Sequence, residues 1–189
     1  MKTAIIVHGW AYNPKMSWYP YVKKELEAKG FHVEAPEMPN PLEPKINEWV
    51  NKLREIIPSP NKETYFIGHS IGCQTILRYL QDLPEKTKVG KIVFVAPWFH
   101  LQDLEGPEAE KIAKPWLETP MDFDKINKHI TEITAIFSDN DQWVPVSDKE
   151  IFRQLLDAKI IVEHEKGHFA EDDNIFEVPQ VIDEIVTTI

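Results

Sequence analysis

The sequence predicts an α/β fold in three layers, a six-stranded parallel sheet covered on both faces by helices. Two observations carry this. Six short runs rich in β-branched and apolar residues recur along the chain, and the stretches between them repeat apolar residues every three or four positions, the alternation of βαβ units. Most of these runs are continuously apolar, as strands covered on both faces should be. A length of 189 residues, with 42% apolar and 28% charged, suits a single domain over residues 1–189 with a sizeable core.

The predicted strands are Ala4 to His8, Phe31 to Ala35, Thr64 to Ile67, Lys91 to Ala96, Ile133 to Ser138 and Lys159 to Glu163. Between the first two, Trp18 to Lys29 carries Tyr21, Val22, Leu26 and Ala28 at helical spacing and stops at Gly30, a natural C-terminal signal. A second clear helix, Ile71 to Leu83, is halted by Pro84. Further helices are expected over Ile46 to Ile57, Ser147 to Ala158 and Pro179 to Ile189. The Ser147 helix opens with a capping residue three before Glu150. Glu34 to Pro44, with four prolines, and Pro97 to Pro120 are irregular, and the second is the candidate for a short cap insertion over one end of the sheet.

Charge and cysteine usage narrow the function. With 31 acidic against 21 basic residues the net charge is −10, so nucleic acid and anionic membrane are not expected partners. The single Cys73 excludes an internal disulfide framework and a Cys-rich zinc site and agrees with a reducing compartment. The apolar run Ile5-Ile6-Val7 is too short for a signal-peptide core or a membrane span, and a cytoplasmic, monomeric protein is expected.

The chemical signal is Gly68-His69-Ser70-Ile71-Gly72, a Gly-x-Ser-x-Gly run between the third strand and the helix after it. Composition alone yields roughly 0.007 such matches in a chain like this. The sharp turn needs glycines where Cβ atoms would collide, and it lifts Ser70 to the carboxyl edge of the sheet at a helix N-terminus. Serine needs a base and an orienting acid, in the order Ser, Asp, His. The loop after the fifth strand offers Asp139 and Asp141, and the loop after the sixth offers His168. In a parallel sheet these loops share one edge with Ser70. Asp141 is preferred, because a residue further past the strand end can more easily turn back toward His168, with Asp139 as the alternative. The backbone N–H groups of Ile71 and Trp10 are the expected oxyanion donors.

These residues resemble the α/β-hydrolase superfamily, and within it the small serine hydrolases of the retinoblastoma-binding-protein-9-like family. Besides the serine turn, the resemblance runs through Trp18 to Glu27, Glu37-Met38-Pro39-Asn40-Pro41, Lys114-Pro115-Trp116, Ser138 to Pro145 and Gly167-His168-Phe169. It implies a reduced α/β-hydrolase with six parallel strands and little or no lid. It also implies a catalytic triad of Ser70, Asp141 and His168, the acid lying just ahead of Val144-Pro145. The Leu-x-Cys-x-Glu motif behind the family's name is absent, so retinoblastoma binding is not carried over.

The expected function is hydrolysis of a small to medium carboxylic ester, amide or thioester through an acyl-enzyme, with no cofactor and no metal. Trp98 and Trp116 are candidate pocket walls, each weighed against a plain core role. His8 is expected to brace the oxyanion loop, and His69 to pack beside the turn. His164 and His168 have a zinc-like spacing but lie across a strand end and Gly167. The acidic residues Glu163, Glu165, Glu171, Asp172 and Asp173 read as a solvated face. The competing class is an interaction module that keeps the scaffold with weak chemistry. A nucleotide binder is disfavoured, since no phosphate-cradling glycine loop is present.

Overall fold

The computed structural model describes residues 1–187. In chain order the elements are β1 (Thr3–Val7), α1 (Tyr19–Ala28), β2 (His32–Glu34), α2 (Ile46–Ile56), β3 (Thr64–His69), α3 (Ile71–Gln81) and β4 (Lys91–Val95). They continue with α4 (Gly106–Glu118), α5 (Phe123–Asn127), β5 (Glu132–Ser138), α6 (Asp148–Leu156), β6 (Lys159–Glu163) and α7 (Pro179–Val186). Of the helix expected over Pro179 to Ile189, the last two residues lie outside the described residues.

The strands form one parallel sheet in the order β2-β1-β3-β4-β5-β6. Successive strand residues face opposite sides, and the core divides accordingly. Ile5, Val7, Phe66 and Phe94 pack with α2, α3 and α6 on one face. Ala4, Ile6, Ile67 and Val93 pack with α1 and α7 on the other. The chain runs outward from β1 to β2, then returns across β1 to β3. The crevice at the carboxyl ends of β1 and β3 is therefore the switch point where such sheets bind ligands.

Local signals explain most boundaries. Gly30 has φ +85°, and the Gly30 and Phe31 N–H groups close the end of α1 on Glu27 and Leu26 carbonyls at 3.0 and 3.1 Å. Strand β3 runs two residues past its predicted end, because Gly68 and His69 stay paired with Phe94 and Val95. Ser147 stands before α6, but its side chain makes no capping hydrogen bond. The segment from Pro97 to Pro120, predicted to be irregular, contains α4. That helix starts at Gly106-Pro107 and carries Pro115 inside it, and Ala113 and Trp116 face the core. Proline at the first turn suits a helix, whereas an interior proline argues against one; here inward packing overrides the second signal.

Candidate active site

Ser70 is placed by geometry that glycine alone permits around it. Its backbone has φ 53° and ψ −119°, a conformation that costs a non-glycine residue about 1–3 kcal/mol. A Cβ on Gly72 would lie 2.3 Å from the Val7 carbonyl oxygen, and one on Gly68 would lie 2.9 Å from the Cys73 backbone. Ser70 N–H donates to Val95 C=O at 2.9 Å, tying the turn to β4. The side chain makes no helix-capping bond. Its Oγ instead accepts the indole N–H of Trp98 at 3.3 Å.

His168 is held at every polar atom but one. Its N–H donates to Asp173 Oδ2 at 2.8 Å, its carbonyl meets His69 Nε2 at 2.8 Å, and its Nδ1–H donates to Asp141 Oδ2 at 2.7 Å. Nε2 is the ring nitrogen left over, and the ring lines the same cleft as Ser70. Asp141 is itself fixed, since its Oδ1 accepts Trp143 N–H and Val144 N–H at 2.9 and 3.0 Å. Asp139 goes elsewhere. It pairs with His164 at 2.6 Å and accepts Glu165 N–H, and this partnership lowers the Asp139 pKa and raises that of His164. The two histidines of the zinc-like spacing are thus each taken by a different aspartate.

The loop after β1 supplies the facing wall. Met38 N–H donates to His8 Nε2 at 2.9 Å, so the His8 ring proton sits on Nδ1 and is donated to Gly9 C=O at 2.8 Å. Burial lowers the His8 pKa, which keeps this arrangement neutral. In a planar trans peptide, Gly9 C=O and Trp10 N–H point in opposite directions, so His8 sets the direction of Trp10 N–H. Ile71 N–H opens α3, where the first amides have no intrahelical acceptor. Trp10 and Ile71 both line the cleft.

The cleft has a volume of about 340 Å³ and is walled by Trp10, Tyr12, Trp98, Leu101, Leu104 and Trp143, with Glu105 and Asp172 among its lining and no lysine or arginine. Of the two tryptophans singled out in the sequence, Trp98 belongs to this wall. Trp116 does not. It is buried against Trp49, donates to Pro44 C=O at 3.0 Å and fills the core on the α2 side of the sheet.

Several positioning residues escape any reading of local pattern. Asp148, buried, accepts Phe99 N–H and His100 N–H at 2.6 and 2.8 Å and His100 Nδ1–H at 2.7 Å, pinning the loop that carries Leu101 and Leu104. Gln74 donates to Trp98 C=O at 2.7 Å. Asp173, within the predicted solvated face, turns inward to His168 and Ala170 N–H groups. Each partner lies far along the chain or in a turn, and only a buried carboxylate's need for donors could have hinted at them.

This geometry can be set beside known proteins. The sequence profile described as serine hydrolase matches residues 4–186. The chain belongs to the serine hydrolase family. Among curated relatives of this serine hydrolase, YdeN of Bacillus subtilis (strain 168) is 30% identical over 182 residues, 96% of this chain and 93% of that one. Serine hydrolase RBBP9 of Rattus norvegicus is 28% identical over 171 residues, covering 90% and 87%. The crystal structure of the B. subtilis ydeN product superposes with a TM-score of 0.87 over 97% of this chain and 96% of that chain. Est1E of Butyrivibrio proteoclasticus, 12% identical, shares the fold, with a TM-score of 0.71 over 99% and 90%. No helix among the described residues is long and apolar enough to cross a membrane.

Proposed function

We propose that this serine hydrolase cleaves small to medium, uncharged carboxylic esters through an acyl-enzyme, with Ser70 as nucleophile, His168 as general base and acid, and Asp141 as the orienting carboxylate. The observation that carries the reading is the convergence on one cleft of a strained Ser70 and a His168 whose only uncommitted atom is Nε2. His168 Nε2 takes the Ser70 hydroxyl proton as Oγ bonds to the substrate carbonyl carbon. The resulting oxyanion sits on Trp10 and Ile71 N–H groups. As the bond to the leaving oxygen breaks, Nε2 returns the proton to that oxygen and the alcohol departs. Water repeats the sequence, giving its proton to Nε2, and Ser70 regains a proton as the acid leaves. Asp141 holds the Nδ1–H tautomer and balances the transient imidazolium. Amides and thioesters fit the same steps with other leaving atoms.

The lining supports the substrate class. Aromatic and aliphatic walls favour an apolar acyl chain, and a volume of about 340 Å³ is at the small end for ligand sites. Glu105 and Asp172, unopposed by any cation in the lining, disfavour an anionic acyl group. A series of p-nitrophenyl esters tests this: short neutral acyl chains should be turned over well, and a half-ester of a dicarboxylic acid poorly. Equal or better turnover of the anionic ester contradicts the substrate assignment.

A further inference from the structure

Tyr19 and His69 are buried, stand outside the set proposed to do the chemistry, and connect three loops distant in sequence. Tyr19 opens α1, and its hydroxyl oxygen accepts Gly9 N–H at 3.0 Å and meets His69 Nδ1 at 2.6 Å. On the far side of the ring, His69 Nε2 meets the His168 carbonyl at 2.8 Å. A carbonyl oxygen only accepts, so the ring proton is on Nε2; Nδ1 of the neutral ring is then bare and receives the Tyr19 O–H. Burial, with His168 alongside, holds the His69 pKa down to about 3. Burial likewise raises that of Tyr19. The bonds therefore run in one fixed direction: Gly9 N–H to Tyr19, Tyr19 O–H to His69, His69 Nε2–H to His168 C=O.

We infer that Tyr19 and His69 are positioning residues, a buried three-bond strut that holds the Gly9 loop, the Ser70 turn and the His168 loop in one register. The inference rests on the reading of Ser70 as nucleophile. The loops need such a tie because each holds a non-glycine residue in the left-handed region: Ala11 has φ 62°, Ser70 φ 53° and Phe169 φ 54°. Asp173 and Asp141 fix the His168 amide and ring, and the strut carries that anchorage through the buried interior to Gly9, next to Trp10; the neighbouring tie from Glu171 N–H to the Tyr12 hydroxyl, 3.2 Å, is exposed and joins neither His168 nor Gly9 itself. Without it, Gly9 N–H and His168 C=O are buried with no partner, and the oxyanion donor and the base are no longer held in register through the interior. A shift on the order of 1 Å between such groups costs up to about 10²-fold in rate.

The test compares Tyr19→Phe, His69→Phe and the double variant with Tyr79→Phe. Tyr79 is a buried tyrosine whose hydroxyl donates to Ile57 C=O at 2.6 Å, away from the cleft. Ester turnover and the rate of fluorophosphonate labelling at Ser70 are measured on folded protein. The strut predicts kcat and labelling down by about 10- to 100-fold in each single variant with KM nearly unchanged, a double variant no worse than the slower single one, and Tyr79→Phe turning over like wild type. On the wild-type protein, ring-nitrogen NMR should find the His69 proton on Nε2 and no titration between pH 5 and 9, a readout that stands even if a variant fails to fold. Wild-type rates in Tyr19→Phe and His69→Phe, or a His69 that titrates in this range, overturn the strut alone. A wild-type protein that is not labelled at Ser70 overturns the nucleophile assignment and the strut with it.

Discussion

Asp141, Asp139 and Trp98 each make a prediction that a single atom decides. Asp141→Asn keeps the shape of the carboxylate but can no longer hold the His168 Nδ1–H tautomer, and kcat should fall by about 10⁴-fold. Asp139→Asn, which only releases the exposed His164, should leave kcat within about twofold of wild type, since the pair it breaks is a surface one. Steady-state kinetics of the two variants separates them, and a larger loss for Asp139→Asn contradicts the assignment. Trp98→Phe removes the indole N–H from Ser70 Oγ while keeping an aromatic wall. A smaller loss in kcat than for Asp141→Asn is expected, because Trp98 steadies the hydroxyl without taking its proton. At this scale the sequence was informative where backbone geometry is written in residue type: Gly68 and Gly72 announce the turn because no other residue fits it. It was silent on Tyr19 and Asp148, whose roles depend on which distant amides come to face them, and it put Asp173 in a solvated face because the turn that aims this side chain at His168 N–H leaves no periodic signal.

The elements place these residues, and the tightest junction is α3 against the end of β1. Gly72→Ala forces a Cβ to within 2.3 Å of the Val7 carbonyl, a backbone atom that cannot give way. Unfolding in urea should show a loss of about 3 kcal/mol or more, or no folded protein, since overpacking at a backbone contact exceeds the usual side-chain cost. A variant as stable as wild type contradicts the packing described here. On the other side of α3, the buried Arg78 donates to Trp116 C=O and Thr119 C=O, both at 2.9 Å, and so closes the end of α4. Burial lowers its pKa to about 10, still leaving it charged at neutral pH. Helix α4 was hidden in the sequence because Pro115 reads as a breaker, and the choice between pocket and core stayed open for Trp116 for a related reason: only the helix shows which way that side chain turns. The strands and the helices α1 and α3 were legible, since their apolar periodicity and their stops at Gly30 and Pro84 agree with the packing that buries them.

Over the whole molecule, two buried neutral histidines tie stability to pH. His69 takes up a proton near pH 6.5 when unfolded but only near pH 3 when folded, so the unfolded state gains protons first as pH falls. Stability is fully present above about pH 6.5 and declines below it, by about 2 kcal/mol between pH 7.5 and 5 for His69 alone. His8, also lowered by burial, acts in the same direction. Urea unfolding at the two pH values should show this decline, and His69→Phe should flatten it; identical slopes for both proteins contradict a buried neutral His69. The central claim, an activated Ser70 in this family's fold, is tested most directly by treating the protein and Ser70→Ala with a fluorophosphonate probe and mapping the modified peptide. Labelling confined to Ser70, lost in a Ser70→Ala protein that remains folded, is the predicted result. A folded wild-type protein left unlabelled, or labelled equally after Ser70→Ala, contradicts it.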